Sequence, residues 1–177
     1  EYIHRSNAAA ATTWVSVYGD MGLKPTYVKA AFEYAYDELK KQNVQNKVTL
    51  FYNDYDTYFS VDDELALISY INEGEEAKIC GGIGMQSHVD IKRPTLEEYG
   101  NALKAFINAG LEVQITELDI TINFDTDDTD GRTPTYAYKN EKETDADQAA
   151  FTKDFIKQIV DIQKNRDKTI SPKGITG

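Results

Sequence analysis

Hydrophobic and polar positions follow two alternating rhythms along this chain. From Pro25 to Gln42 the apolar residues Val28, Ala31, Phe32, Ala35 and Leu39 recur at helical spacing, and Pro25 suits an early helical position. Lys47 to Tyr52 then gives a short run, Val-Thr-Leu-Phe-Tyr, rich in β-branched and aromatic residues, which reads as a strand. Val61 to Glu73 returns to the helical rhythm, with Leu65, Ile68 and Ile71 on one face and Gly74 as a stop. Gly82 to Gln86 is a second strand. Thr95 to Ala109 is a helix preceded by Pro94, with an inner stripe of Leu96, Tyr99, Leu103, Phe106 and Ile107, closed by Gly110. Leu111 to Thr116 is a third strand, in which Leu111, Val113 and Ile115 alternate. Ala146 to Lys164 is a long helix facing inward through Phe151, Phe155, Ile159 and Ile162.

The strands recur at intervals of roughly 30 to 35 residues, the size of a βα unit. Three such units in succession predict a parallel sheet with helical cover. A closed eight-stranded barrel takes about 250 residues, and this chain has 177. The pattern therefore reads as α/β, a single partial domain over residues 1–177 built as part of a (β/α)8 TIM barrel, in preference to an open sheet of three or four strands. The segment Ile170 to Gly177 looks like the approach to a further strand.

Each predicted strand ends in polar residues. The first ends in Tyr52-Asn53-Asp54-Tyr55-Asp56, the second in Gln86-Ser87-His88 and the third in Thr116-Glu117-Leu118-Asp119. In a parallel sheet these ends share one rim, which is where barrel enzymes place their chemistry. Glu117 and Asp119 have the same strand parity and so face the same side. Packing explains such a pair poorly, because a buried carboxylate is costly unless paired or hydrogen-bonded; an active site explains it well.

Charge and composition narrow the function further. A net charge of −11 argues against nucleic acid and anionic membrane as partners. No apolar run approaches the length of a membrane span. Cys80, the single cysteine, excludes an internal disulfide and a cysteine-rich zinc site, and beside Gly81 it reads as a small buried hydrophobe. The twelve tyrosines suit a sugar-binding cleft but equally suit cores; for Tyr2, Tyr18, Tyr58, Tyr136 and Tyr138 packing is the expectation. His4 has no motif around it and reads as a surface residue. The stretch Asp125 to Asp130 before Gly131 superficially fits a calcium loop, but Thr126 and Ala137 would occupy its first and last ligand positions, so it reads as a solvated acidic loop. The chain opens on Glu1 without an initiator Met and reads as a fragment or processed product.

Three segments together resemble successive strands of glycoside hydrolase family 10, the endo-β-1,4-xylanases. These are Phe51-Tyr52-Asn53-Asp54-Tyr55, Gly82-Ile83-Gly84-Met85-Gln86-Ser87-His88 and Glu112-Val113-Gln114-Ile115-Thr116-Glu117-Leu118-Asp119, which look like the fifth, sixth and seventh strands of the family barrel. Trp14 and Ala31-Phe32-Glu33-Tyr34-Ala35 also sit as the family pattern places them. The resemblance runs from Glu1 to the chain end and lacks the first three strands, nearly all of the fourth, and the eighth. It implies that Glu117 is the catalytic nucleophile and that Glu1 falls at the place of the acid/base. It implies that His88 hydrogen-bonds Glu117, that Asp119 orients His88, and that Asn53, Tyr55, Gln86 and His88 meet the substrate. The family usually has Asn where Asp56 stands. No metal or organic cofactor is implied; the partner is xylan or xylo-oligosaccharide, with the missing barrel segments or another chain completing the fold, and the expected location is extracellular. Two other readings stay open: an inactive barrel fragment with at most weak carbohydrate binding, and a retaining β-glucanase.

Overall fold

The computed structural model describes residues 2–4, 14–122 and 143–166. Glu1, the acidic stretch from Asp125 to Asp130, Tyr136, Tyr138 and the segment from Ile170 to Gly177 lie outside them. The described elements run α1 (Trp14–Tyr18), α2 (Thr26–Lys41), β1 (Phe51–Asp54), α3 (Val61–Ile71), β2 (Gly82–Met85), β3 (His88–Asp90), α4 (Leu96–Asn108), β4 (Glu112–Ile115), β5 (Asp119–Thr121) and α5 (Asp145–Arg166).

β1, β2 and β4 form a three-stranded sheet in that order, and both pairings are parallel. The register aligns Phe51 with Gly82 and Gly82 with Glu112. Helical connections return the chain to the same sheet edge each time, as a βα repeat requires. β1 differs from the sequence expectation at both ends. It starts at Phe51 because pairing with β2 starts there, and it runs on through Asn53 and Asp54, which belong to the ladder and not to a loop beyond it. β3 and β5 form a second, two-stranded parallel sheet above the rim, with His88 paired to Asp119.

The core lies between this sheet and the helices that cover it. Ile83, Met85 and Val113 from the strands meet Leu67, Ile68 and Ile71 of α3 and Tyr99, Leu103, Phe106 and Ile107 of α4, all buried. Burying side chains of this size contributes about 1.5–3 kcal/mol each. α4 is set by its sequence at both ends. Thr95 and Glu98 form a reciprocal capping box at its start. At its end Gly110 adopts a φ of +77°, a conformation that costs glycine little. α3 is tied to the next strand by Asn72, whose amide donates to the Cys80 carbonyl and accepts from the Cys80 N–H, both at 2.9 Å. Cys80 is buried as expected, and burial pushes its thiol up to about 11. α5 docks on α4 through Phe155, whose ring lies 4.4 Å from that of Tyr99.

α2 corrects the sequence reading. Ala31 and Ala35 are exposed. The helix meets its neighbours through the larger side chains Tyr27, Val28, Phe32 and Tyr36, which are partly buried. It packs on α3, and its bulky side chains are the ones that reach the core.

Candidate active site

The parallel ladder places the ends of β1, β2 and β4 on one rim, and the side chains there form a connected chain of hydrogen bonds. Thr116 Oγ1 donates to Asn53 Oδ1 at 2.8 Å, and Asn53 Nδ2 donates to Glu117 Oε1 at 3.2 Å. The Asn53 amide thus has one orientation, its carbonyl turned to Thr116 and its NH2 to the carboxylate. The bridge crosses directly over Gly84, the residue paired with Asn53 in the sheet. A Cβ at Gly84 would stand 2.4 Å from Asn53 Oδ1 and 3.1 Å from Thr116 Cγ2. Glycine is needed at this point for the close approach.

His88 holds the other side of Glu117. Its Nε2 lies 3.4 Å from Glu117 Oε2, and its Nδ1 lies 2.7 Å from Asp119 Oδ2. The His88–Asp119 contact is built into the backbone, because these two residues are partners in the β3–β5 register. Burial alone would lower the His88 pKa. The Asp119 hydrogen bond and the negative charges of Asp119 and Glu117 outweigh it and raise the pKa above the usual imidazole range. The three side chains are 44%, 46% and 60% exposed for His88, Glu117 and Asp119, so the cluster faces solvent and is open to a ligand.

The turn that aims His88 is anchored in the core. Ser87 has a φ of +63°, an unusual value for a residue with a side chain. Its Oγ lies 2.8 Å from the hydroxyl of the fully buried Tyr99 and donates to the Met85 carbonyl. α4 therefore fixes the backbone between Gln86 and His88. Gln86 is buried, and its carbonyl accepts the Glu117 N–H at 3.2 Å, which places it beside Glu117. Tyr55 is half-buried at the same rim, its N–H donating to Asp54 Oδ1. Asp56 takes a φ of +49° and accepts from the Tyr58 hydroxyl at 2.8 Å, so the Asp here has a local partner of its own.

The rim thus brings together Asn53, Tyr55, Gln86, His88, Glu117 and Asp119. Glu1, the expected acid/base, lies outside the described residues. His4 departs from its expectation as a surface residue. Its ring packs on that of Tyr55 with centroids 4.2 Å apart and planes tilted by 30°, and its Nδ1 lies 3.0 Å from Asp54 Oδ1, the carboxylate of Asp54 being fully buried. Tyr2 and Tyr58 are buried, while Tyr18 is 48% exposed. Sequence reasoning passed over Thr116, Ser87 and Asp54. Thr116 could have been found from its place directly before Glu117, and Asp54 from its parity with Tyr52, which turns both into the core. A cavity of about 400 Å³ lies at the opposite rim, lined in part by Thr49, Lys78 and Glu112. Its one carboxylate is bonded to the Thr49 hydroxyl, and the acid cluster at the other end is the better candidate for chemistry.

The chain matches the family model described as glycosyl hydrolase family 10 over residues 1–174. It belongs to that family. It is 48% identical over 127 residues to endo-1,4-beta-xylanase A of Butyrivibrio fibrisolvens, an alignment covering 72% of this chain and 29% of that protein. Among solved structures, a family 10 endoxylanase retrieved from a sugarcane soil metagenome shares 27% identity and a TM-score of 0.61, over 88% of this chain and 42% of the other. The N-terminal endo-1,4-beta-D-xylanase 10B of Clostridium thermocellum, solved as CBM22-1 and GH10 modules complexed with xylohexaose, shares 28% identity and a TM-score of 0.58, over 92% and 26%. The chain thus spans less than half the length of these relatives, and its fold is part of the family's (β/α)8 barrel.

The rim of this family 10 chain carries a carboxylate with a partner at each oxygen. Asn53 meets one oxygen and His88 the other. Such partners position the group.

Proposed function

We propose that the protein carrying this chain is an endo-1,4-β-xylanase that cleaves β-1,4-xylosidic bonds in xylan with retention of anomeric configuration. Glu117 attacks the anomeric carbon and forms a glycosyl-enzyme intermediate, which water then hydrolyses. Glu1 protonates the departing oxygen and later activates that water. Retention by this route calls for two carboxyl groups about 5 to 5.5 Å apart. Asn53, Tyr55, Gln86 and His88 bind the sugar, and Asp119 orients His88. The observation that carries the reading is the clamp on Glu117, held between the Asn53 amide and the His88 ring at the open rim. The xylanase names of the similar proteins and the xylohexaose complex of one of them support xylan as substrate. An extracellular location belongs to the same proposal.

The test is made on the full-length protein. Glu117→Ala should lower turnover by several orders of magnitude. Added azide should restore some of it and give the azide product of inverted configuration, because the anion attacks from the vacated side. Replacing Glu1 should spare substrates with good leaving groups, which need little protonation. NMR of the first-formed product decides the stereochemistry: an inverted anomer from the unmodified enzyme, or near-full activity in the Glu117 variant, defeats the proposal.

A further inference from the structure

Behind the rim, on the core side of β1, lies a cluster that the hydrolysis does not use. His4, Asp54 and Glu64 each present one ligand-type atom, and these atoms lie within 4.8 Å of one another. Asp54 and Glu64 are both fully buried. Asp54 is well supplied with donors. Its Oδ2 accepts from the Tyr52 hydroxyl at 2.5 Å and the Ile3 N–H at 3.1 Å, and its Oδ1 meets His4 Nδ1 and the Tyr55 N–H.

Glu64 is the anomaly. Ser60 Oγ donates to its Oε1 at 3.3 Å, but its Oε2 is buried without a hydrogen-bond partner. A buried carboxylate oxygen without a hydrogen-bond partner is costly, and the neighbouring Asp54 carboxylate adds to the cost. A place in the first turn of α3 does not explain it, because Asp62 and Asp63 serve the helix N-terminus from exposed positions in that same turn. Burial, followed by the charge of Asp54, pushes the Glu64 pKa up to about 9. Its partnerless Oε2 beside Asp54 leaves room for a proton or a cation to neutralise the pair.

We propose that His4, Asp54 and Glu64 bind one divalent transition-metal ion, with Zn²⁺ as the representative. The donor chemistry selects this class: one imidazole nitrogen with two carboxylate oxygens suits zinc-like ions, whereas calcium takes six to eight oxygens. His4 Nδ1 and Asp54 Oδ1 stand 3.0 Å apart, a spacing compatible with two ligands of one ion at bond lengths of about 2.0–2.2 Å. Glu64 Oε2 is the third ligand, brought in by rotation of its side chain to the bond lengths such an ion requires. The ion takes the place of the proton between His4 and Asp54 and of the proton on Glu64, both released to solvent, and its two charges neutralise both carboxylates. His4 is 21% exposed and gives a path from solvent. Because its ring packs against Tyr55, the ion sits behind a rim residue to which the proposed function gives a sugar contact.

The full-length protein, stripped with chelator, is titrated with Zn²⁺ by calorimetry. One saturable site with a Kd at or below ~10 μM is expected. Glu64→Gln and His4→Gln should each weaken it by roughly tenfold or more, while Asp62→Asn on the same helix turn should leave it unchanged. Circular dichroism checks that the variants fold, and His4→Gln, at a partly exposed position, keeps the test decisive if Glu64→Gln does not fold. Absence of saturable binding, or binding that neither substitution weakens, overturns the proposal and leaves Glu64 holding a proton. The readout is binding and not turnover, so its failure is separate from that of the xylanase reading.

Discussion

His88 Nδ1 stands 2.7 Å from Asp119 Oδ2, and the two residues are register partners in the small β3–β5 sheet. The imidazole is therefore oriented by backbone pairing as well as by its hydrogen bond, and its second nitrogen is left aimed at Glu117. Because the His88 pKa is raised in the folded state, its charged form is favoured there. The sign follows: this contribution to stability is fully present below the unfolded-state pKa of about 6.5 and is lost as pH rises through the higher folded value. The His88 ring resonances, followed by NMR against pH, should titrate above about 6.5. Asp119→Asn removes the strongest favourable partner and should move the midpoint down. A wild-type midpoint at or below the unfolded value would contradict the electrostatics described here.

The Thr116–Asn53–Glu117 chain leads to a second expectation. Thr116→Val keeps the side-chain shape and removes the donor to Asn53 Oδ1, at a cost of about 1 kcal/mol. If that cost falls on the transition state, kcat on xylan drops by roughly fivefold to tenfold with little change in KM. Gly84→Ala should be worse, since the added methyl overlaps Asn53 Oδ1 and must push the amide off Glu117. Steady-state kinetics of the two variants give the ranking, and a Gly84→Ala enzyme as active as wild type would show that the Asn53 bridge does not matter.

The sequence showed the larger part of this arrangement. The stripe of α4 and the alternation of β4 are long enough to reveal their period, and parallel strands bring their ends together without further information. Hence Asn53, Gln86, His88 and Glu117 could be placed on one rim from pattern alone. β3 and β5 could not, because three-residue strands carry no readable period. The apolar pattern of α2 marked Ala31 and Ala35 as readily as Phe32, since it registers polarity and not reach. His4 and Asp54 are fifty positions apart, and the contact between them depends on where the chain before α1 passes the end of β1; nothing local in either stretch announces it.

Thr95 offers a test in which stability and activity part company. Its side chain accepts from the Glu98 N–H while Glu98 reaches back to the Thr95 N–H. Thr95→Ala removes one half of this box and should cost about 1 kcal/mol. The Thr95 side chain bonds Glu98 and no residue of the Glu117 cluster, so chemical denaturation should show the loss while kcat stays as in wild type. A fall in kcat without loss of stability would mean that α4 controls the site by some route other than anchoring.

Phe155 is the strongest single hold of α5 on the rest of the molecule. α5 is long but largely exposed, and Phe155 is its one fully buried residue. Its ring lies 4.4 Å from Tyr99 and 5.8 Å from Phe151. Phe155→Ala removes the ring from a packed aromatic cluster and should destabilise the fold by about 3–5 kcal/mol, combining lost transfer free energy with the cavity left behind. The consequence reaches the rim through one defined connection. Tyr99 packs under Phe155 and its hydroxyl meets Ser87, whose unusual backbone aims His88. Loosening Tyr99 should therefore loosen His88 as well, and Phe155→Ala should lower kcat even at temperatures where the variant remains folded. Tyr99→Phe separates the two effects: it keeps the ring packing and removes only the hydroxyl, so it should cost about 1 kcal/mol in stability and still lower kcat. Melting curves and kinetics on both variants settle it, and a Tyr99→Phe enzyme with unchanged turnover would break the proposed link from α5 to the catalytic rim.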